Sequence, residues 1–255
     1  MKVLIVCAHF DAKSFNASLL ETAIDTLTAQ GHEVRVSDLY AMNFDPVTRP
    51  SDFCSPENPD HIRYDTEQRH AVETGTLPED VKAELEKLLW CDFLILQFPW
   101  YWFGLPAIMK GWVDKVFAMG AVYGGGQWYN RGALGGRRAM LAFSTGCFPS
   151  MCGPDGINGD MDIILWPIHN GILRFTGFDV LHPHVSYSVN YKSEDQRRQM
   201  IKDYAVRLRG LSEEAPIPFN DREDFTRDWR LKPGIRAKAV GQIKTALNAN
   251  EAKKP

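Results

Sequence analysis

The amino-acid sequence predicts an α/β protein with a doubly wound, five-stranded parallel sheet and helices on both faces. Short apolar segments of strand length alternate along the chain with longer segments whose apolar residues recur at helical spacing. The first short segment is continuously apolar, which is typical of a parallel strand buried on both faces. The chain of 255 residues is long enough for one large domain, expected over residues 1–211, and an extension over residues 212–255.

Helix boundaries in the first half of the chain follow from capping residues. Asn16 is a favourable N-cap, and Gly31 ends the helix that follows it. Pro78 and Pro106 each suit the start of a helix. The helix after Pro78 is expected to turn its apolar residues, Leu89 among them, toward the sheet because they recur at helical spacing. The five predicted strands are residues 2–9, 33–39, 92–98, 137–146 and 178–189.

The second half contains two further helices and two segments that lie outside the alternation. A helix over residues 162–175 is expected to be interrupted at Pro167, because proline removes a backbone donor and clashes with the preceding turn. Ser193 and Gln196 form a capping-box pattern at the start of the last helix, which runs to Leu211. Residues 45–77 are polar and proline-rich, so this long connection is either functional or packed on a neighbour. The charged tail, residues 212–255, cannot form a core by itself and is expected on the surface of its own or a partner subunit.

Composition and charge argue against several classes of protein. The 29 basic and 32 acidic residues leave a net charge of −3 without a basic run, so a nucleic-acid partner is not expected. Proline, glycine and glutamine interrupt the most apolar stretch, so no membrane insertion is expected, and with no signal-peptide core the expected location is cytoplasmic. The five cysteines include no Cys-x-x-Cys pair, and His182 and His184 have no third ligand nearby. Neither a disulfide framework nor a metal site is therefore expected.

Three loops follow the first, third and fourth predicted strands. In a doubly wound sheet, ligands bind outside the carboxyl ends of the strands. The first loop, residues 9–16, brings hydroxyl, amide and cationic groups to a helix N-terminus, whose free N–H groups favour a phosphate. The alternative interpretation is that Ser14 and Asn16 only cap the helix. No glycine-rich dinucleotide fingerprint or P-loop is present, so side chains must help to hold the phosphate.

The other two loops suit a planar ligand. Four consecutive aromatic residues, 100–103, follow the third strand. A strand end buries about two such rings, so the others need a flat ligand or a partner subunit to cover them. The fourth strand ends in Ser144, Thr145 and Gly146, which offer hydroxyl groups and close access to the backbone. An anion site, a stacking site and hydrogen-bonding groups together favour a flavin nucleotide.

Five sequence motifs carry a specific resemblance. They are Ala8-His9 with Ser14-Phe15-Asn16, Ser37-Asp38-Leu39-Tyr40-Ala41-Met42-Asn43-Phe44, Gln97-Phe98-Pro99 with Trp102-Phe103-Gly104, Lys110-Gly111-Trp112, and Gly159-Asp160-Met161 with Ile164-Leu165-Trp166-Pro167-Ile168. In these motifs the chain resembles the NAD(P)H:quinone oxidoreductases of the DT-diaphorase type, which are flavodoxin-like homodimers that bind FAD. The resemblance covers residues 2–211 and implies the strand order 2-1-3-4-5.

The resemblance also implies which residues hold the cofactor. Arg197 corresponds to a contact on the adenine side of FAD. The implied contacts with the flavin diphosphate are His9, Phe15, Asn16 and Ser18. The implied contacts around the flavin ring are Pro99, Trp100, Trp102, Phe103, Ser144, Thr145, Gly146 and Cys147.

The residues that would act on substrate depart in part from the family pattern. Tyr123 and Phe175 match aromatic residues that cover the substrate, with Tyr123 reaching from the partner subunit, so the site would need a dimer. Cys152 and Asn158 stand where the family has a Tyr and a His that stabilise negative charge on the reduced flavin. Cys152 is a weak donor, and the Asn158 amide can donate but cannot take up a proton. Gly125 replaces a second substrate tyrosine, so that wall is smaller.

The resemblance implies an FAD enzyme that takes a hydride from NAD(P)H and passes two electrons to a quinone by a ping-pong mechanism. A flavin-binding regulatory subunit with weak turnover is the alternative, motivated by Cys152, Asn158 and the tail. A diffusible electron carrier is less favoured, because clustered aromatic residues and near-neutral charge suit a substrate pocket better than an acidic docking face.

Overall fold

The computed structural model describes residues 1–242 and confirms the alternation of strands and helices. A π-helical segment, His169–Arg174, follows α6 directly. The strands are β1 (Lys2–Cys7), β2 (Glu33–Asp38), β3 (Phe93–Pro99), β4 (Arg138–Ser144), β5 (Asp179–Val180) and β6 (His184–Ser186). The helices are α1 (Phe15–Ala29), α2 (Tyr64–Thr74), α3 (Glu79–Trp90), α4 (Ala107–Val116), α5 (Met161–Ile164), α6 (Trp166–Ile168) and α7 (Glu194–Arg209).

All strand pairs named above are parallel, and the sheet runs in the order β2-β1-β3-β4-β5, with β6 also paired to β4. The predicted order is confirmed, but the prediction of one continuous fifth strand over residues 178–189 is wrong. It is divided into β5 and β6, because Pro183 between them has no N–H to donate to β4. Arg207 of α7 contacts this break and donates to the Pro183 carbonyl oxygen at 2.7 Å.

The two faces of the sheet bury alternate residues of each central strand. In β1, Leu4 and Val6 face one apolar cluster, whereas Val3 and Ile5 face the other. The first cluster is covered by α3, α4 and the α5–α6 segment, and the second by α1 and α7. Burial on both faces explains why the strand sequences are apolar without alternation. The polar carboxyl ends of the strands are therefore the places where chemistry can be built.

Three local predictions need correction. Ser14, and not Asn16, caps α1, since the Ser14 hydroxyl accepts the Ala17 N–H at 3.1 Å and Asn16 is buried for another purpose. Leu89 does not face the core but is 39% exposed, because it lies at the edge of the apolar stripe of α3. The helix predicted over residues 162–175 is three short segments, with Pro167 in the first turn of α6 as expected of a helix start.

The long connection of residues 45–77 packs on its own chain. It contains α2, whose buried Glu67 accepts the N–H groups of Glu57 and Asn58 at 2.7 and 3.1 Å. Gln68 of the same helix donates to the Asp114 carbonyl of α4 at 2.9 Å. Upstream, Pro46 lies against α4. The segment therefore braces α4.

The described part of the tail, residues 212–242, lies along the domain. The Ile217 N–H donates to the Val180 carbonyl of β5 at 2.8 Å. Further along, the Trp229 ring meets the Trp128 ring edge to face at 5.8 Å. The rest of the predicted extension, residues 243–255, lies outside the described residues. Within residues 1–242, no helix is both long and apolar enough to cross a membrane.

The close approach of the long connection to α4 makes a prediction about Gly111. A Cβ at this position would overlap the Pro46 carbonyl oxygen and ring, whereas a Cβ at Gly171 would meet nothing. We expect Gly111→Ala to lower the free energy of unfolding by about 1–3 kcal/mol, as overpacking does. Gly171→Ala is the control and should change it by less than about 1 kcal/mol. Urea denaturation measures both free energies of unfolding. Equal values for the two variants would show that the segment around Pro46 can move away from α4 at no cost.

Candidate functional site

Asn16 joins three strand ends at the carboxyl edge of the sheet. The residue is 3% exposed, and its side-chain Nδ2 donates to Ser144 Oγ, at the end of β4, at 2.8 Å. Its main-chain carbonyl oxygen accepts from Gln97 Nε2, near the end of β3, at 2.7 Å. The loop after β1 is thus fixed against β3 and β4. The remaining Asn16 acceptor, Oδ1, is buried without a partner in the described chain.

The loop between β1 and α1 is ordered in a form that suits an anion. The Asp11 N–H donates to His9 Nδ1 at 3.0 Å, and Asp11 in turn accepts the Lys13 N–H. Ser14 caps the Ala17 N–H, which leaves the first amides of α1, those of Phe15 and Asn16, without intrahelical acceptors. Such amides at a helix N-terminus favour a phosphate. His9 and Phe15 are half-buried beside them, and Ser18 is exposed one turn further along α1.

The turn Tyr101–Gly104 holds two aromatic residues in left-handed backbone conformations. Trp102 has φ +48° and Phe103 has φ +62°, and the Gly104 N–H closes the turn on the Tyr101 carbonyl at 3.0 Å. Each such residue stores about 1–3 kcal/mol of strain, and residues strained in this way cluster at functional sites. Trp102 is 97% exposed. The chain therefore strains its backbone to present an indole that contributes nothing to its own core.

The neighbouring Trp100 is held from both sides. Its backbone N–H donates to the Ser144 carbonyl at 2.9 Å, and its ring meets Phe103 edge to face at 5.1 Å. Trp100 Nε1 is buried and has no acceptor in the described chain. Pro99 precedes it as the buried last residue of β3, in register with Ser144. An orphaned donor beside an exposed indole fits a flat ligand with polar edges.

The loop after β4 places polar atoms next to these rings. The Thr145 N–H donates to the Ser186 carbonyl at 3.0 Å, and Thr145 Oγ1 accepts the Cys147 N–H at 3.1 Å. Ser188 Oγ donates to the Cys147 carbonyl at 2.9 Å. A Cβ at Gly146 would meet no atom within 4 Å, so the backbone there is open to a ligand.

Cys152 and Asn158 lie together beside this loop. Asn158 Nδ2 donates to Cys147 Sγ at 3.4 Å and to Cys152 Sγ at 3.6 Å. Burial raises the pKa of the Cys152 thiol, and the Cys147 thiol raises this pKa further against the lowering effect of the Asn158 hydrogen bond. The Cys152 thiol is therefore neutral at pH 7 and a poor anion donor.

Tyr123 and Phe175 belong to a second aromatic cluster, with ring centroids 5.8 Å apart. Within residues 1–242, none of the ring contacts joins this cluster to Trp100, Trp102 or Phe103. One chain thus carries the predicted cofactor and substrate residues in two groups that share no ring contact. Tyr123 is half-buried, and burial raises the pKa of its hydroxyl.

A cavity of about 350 Å³ lies between this cluster and the tail. The guanidinium of Arg222 is 5.4 Å from the centroids of both the Trp128 and the Trp229 rings. Sequence analysis missed these residues, although the adjacent Trp128 and Tyr129 repeat the aromatic signal of residues 100–103. The cavity is lined by Trp128, Tyr129, Trp166, Asn170, Phe175, Phe219, Asn220, Arg222, Phe225, Trp229 and Gln242.

Arg197 lies in the first turn of α7, which packs against α1. Its guanidinium donates from Nη1 to the Lys192 carbonyl at 2.8 Å, so this nitrogen is held by its own chain. The helix that carries Arg197 is thus a neighbour of the helix whose N-terminus suits a phosphate.

Comparison with known proteins identifies the relatives of the chain. The model of the flavodoxin-like fold family matches residues 1–210. NAD(P)H dehydrogenase (quinone) 1 of Rattus norvegicus is 41% identical over 97% of this chain and 90% of its own length. Ribosyldihydronicotinamide dehydrogenase (quinone) of Homo sapiens is 41% identical over 85% of this chain and 94% of its own length. The crystal structure of a proposed quinone reductase from Klebsiella pneumoniae has a TM-score of 0.90 and 39% identity, covering 94% of this chain and 97% of that one.

The strained turn makes a prediction with two opposite effects. Trp102→Gly should stabilise the flavin-free protein by about 1 kcal/mol, because glycine adopts a positive φ without strain and the exposed indole buries nothing. The same change should weaken flavin binding several-fold, since stacking is worth about 0.5–1.5 kcal/mol beyond buried area. Denaturant unfolding and flavin titration measure the two effects. Val206→Ala, at an exposed position on α7, should change neither. Destabilisation of the flavin-free protein would instead return Trp102 to a structural role.

Proposed function

The chain belongs to the flavodoxin-like NAD(P)H dehydrogenase (quinone) family, and from this premise we propose that it is an FAD-dependent NAD(P)H:quinone oxidoreductase. The observation that carries the proposal is the strained turn that exposes Trp102 beside the polar ends of three strands. When bound there, a flavin would accept a hydride from a reduced nicotinamide and pass two electrons to an acceptor.

The residues present fit a flavin nucleotide at each of its parts. The free amides of Phe15 and Asn16, with His9 and Ser18 nearby, would hold the phosphates. Trp102 and Phe103 would stack on or border the ring, and Thr145, Gly146 and the orphaned Trp100 Nε1 would bond its polar edge. Pro99, Ser144 and Cys147 would complete the wall behind that edge. Stacking and fixed donors keep the ring in one orientation, which is what a hydride transfer requires.

We infer FAD in preference to FMN from the position of Arg197. It lies at the N-terminal end of α7, and α7 packs against α1, whose N-terminus is the proposed phosphate site. A guanidinium stacks on aromatic faces and donates to phosphate. Both features suit the adenosine half of the longer nucleotide.

We further infer that the active site is completed by a second copy of the chain. Trp102 is exposed in the single chain, whereas Tyr123 and Phe175 form a separate cluster. In a homodimer, the Tyr123 cluster of one subunit would cover the ring held by the other, exclude water and clamp the quinone. One covered face serving both substrates in turn would give ping-pong kinetics.

We also propose a nicotinamide dinucleotide as the reductant and the cytosol as the compartment. The rat NAD(P)H dehydrogenase (quinone) 1 aligns with 97% of the chain, so the alignment includes most of the tail. We therefore favour NAD(P)H as the reductant. All five cysteines are free thiols, which suits the reducing cytosol.

The groups beside Asn158 suggest slow chemistry. Its amide hydrogens are directed at the sulfurs of Cys147 and Cys152, and the Cys152 thiol is held neutral. Negative charge that develops at the ring edge would therefore receive less stabilisation than from a phenol and an imidazole. Losing one well-placed anion donor costs about 10²–10³ in rate, so turnover is expected to be measurable but modest.

Anaerobic mixing tests the function directly. The purified protein should be yellow, release FAD on heating, bleach on addition of NADH or NADPH, and regain its colour when a quinone is added. Release of FMN alone would overturn the cofactor assignment but leave the reaction class standing. Bleaching that is slow and insensitive to quinone would instead favour the regulatory alternative.

A second prediction concerns the altered charge-stabilising groups. The double change Cys152→Tyr with Asn158→His should speed flavin reduction and introduce a pH dependence near a His pKa of about 6.5, because imidazole can accept a proton. Each single change should do less than the pair if the two groups act as a unit. Stopped-flow reduction across pH, on folded and flavin-loaded variants, measures this. An unchanged rate would assign charge stabilisation to other groups.

A further inference from the structure

Two thiols and one amide form a compact cluster beyond the end of β4. Asn158 Nδ2 donates to Cys147 Sγ at 3.4 Å and to Cys152 Sγ at 3.6 Å. Both sulfurs contact the same nitrogen atom, so the two thiols are close neighbours, and each presents a lone pair toward it. The Asn158 amide thus holds a dithiol in place.

The local backbone favours a bond between these two sulfurs. A 3₁₀ turn, Pro149–Cys152, folds the chain back, and the Met151 N–H bonds the Phe148 carbonyl at 3.0 Å. Cys147 and Cys152 are five positions apart in the sequence, so a bond between them would close a short loop. A short loop has little closure entropy to lose when a cross-link forms.

The other three cysteines are in different situations. Cys7 and Cys91 are buried at 3% and 0% exposure, and burial raises the pKa of each to about 12. Cys54 is exposed and donates weakly to the Thr76 carbonyl at 3.9 Å. Residues 1–242 include all five cysteines. Among the hydrogen bonds of their thiols, only those of Cys147 and Cys152 share a partner, Asn158.

We propose that Cys147 and Cys152 are a redox modification site, which hydrogen peroxide converts to a reversible intramolecular disulfide. Its location beside a flavin rests on the proposed function, whereas the disulfide itself does not. Cys147 is half-buried and the more accessible, and Cys152 is 5% exposed. Cys147 is therefore the residue that reacts first, and Cys152 is the resolving thiol.

The reaction balances in two steps. The Cys147 sulfur attacks one peroxide oxygen, and the O–O bond breaks. Water is released, and Cys147 becomes a sulfenic acid. The Cys152 sulfur then attacks the Cys147 sulfur, an S–S bond forms, the S–O bond breaks, and the hydroxide leaves as water with the Cys152 proton. The two thiols lose two electrons in total to one peroxide. A dithiol reductant reverses the change by exchange.

Formation of this disulfide alters the hydrogen bonds that the Asn158 side-chain amide donates. In the reduced protein both Asn158 N–H groups are directed at sulfur. A disulfide fixes the two sulfurs at bonding distance and pulls them from their present positions. The Asn158 amide is then free to donate elsewhere, so the redox state of the dithiol sets the hydrogen bonding of this edge of the site.

Mass analysis of the full-length, flavin-loaded protein tests the proposal. The protein is treated with hydrogen peroxide, quenched with N-ethylmaleimide under denaturing conditions and digested with trypsin. Residues 139–174 form one tryptic peptide that contains both thiols and no other cysteine. We expect this peptide to lose two hydrogen atoms and resist alkylation, and dithiothreitol to restore two alkylation sites.

Matched serine variants decide the assignment. Cys147→Ser and Cys152→Ser should each abolish the two-hydrogen loss, whereas Cys54→Ser should leave it intact. Full alkylation of both thiols after peroxide, or oxidation of one sulfur to sulfinic acid without a cross-link, would overturn the proposal. These masses do not depend on turnover, so an active enzyme without the disulfide rejects only this inference. A disulfide in a chain that never reduces a quinone rejects only the proposed function.

Discussion

The buried amide of Asn16 is the constraint on which the candidate site depends. It links the N-terminus of α1 to Ser144 at the end of β4, and its main-chain carbonyl accepts from Gln97 of β3. An unsatisfied buried polar group costs about 1–3 kcal/mol, so these loops cannot separate cheaply. The proposed phosphate end and the proposed ring end of the site thereby keep one fixed spacing. This explains why a good N-cap residue is not used as a cap here, since Ser14 takes that role and frees Asn16 for the tertiary bonds.

Local sequence and three-dimensional structure agree along the sheet but conflict at the turn Tyr101–Gly104. Along the sheet, local pattern and burial agree, because the strands that read as continuously apolar are buried on both faces. At the turn, two aromatic residues adopt positive φ values and one is exposed almost completely. Residues strained in this way are held by the surrounding structure and cluster at active sites and ligand clamps. In the proposed dimer, the planar cofactor would cover the exposed ring from one side and the second subunit would close the site.

Sequence patterns predicted most of the fold because the spacing of apolar residues and the capping of helices are local properties. The strand order and the helices beside β1, β3 and β4 needed no long-range information once the family resemblance was recognised. The division of the fifth strand did have a local signal, Pro183, but its effect depends on whether β4 needs an N–H at that place. The exposure of Leu89 and the pairing of Trp128 with Trp229 could not be predicted, because they depend on which distant segment covers each surface. The shared contact of Cys147 and Cys152 with Asn158 was hidden for the same reason.

In the proposed active site, the loop after β4 would stabilise charge without a phenol or an imidazole. The Thr145 N–H is committed to Ser186, and the Cys147 N–H is committed to the Thr145 hydroxyl. Between them, the Gly146 N–H has no acceptor among residues 1–242, and its surroundings are open. A fixed backbone donor needs no proton of its own and does not titrate, so it stabilises developing negative charge equally at every pH. With Asn158 directed at sulfur and Cys152 held neutral, the Gly146 amide is the donor that would serve the proposed active site independently of pH and of the proposed oxidation of its thiols.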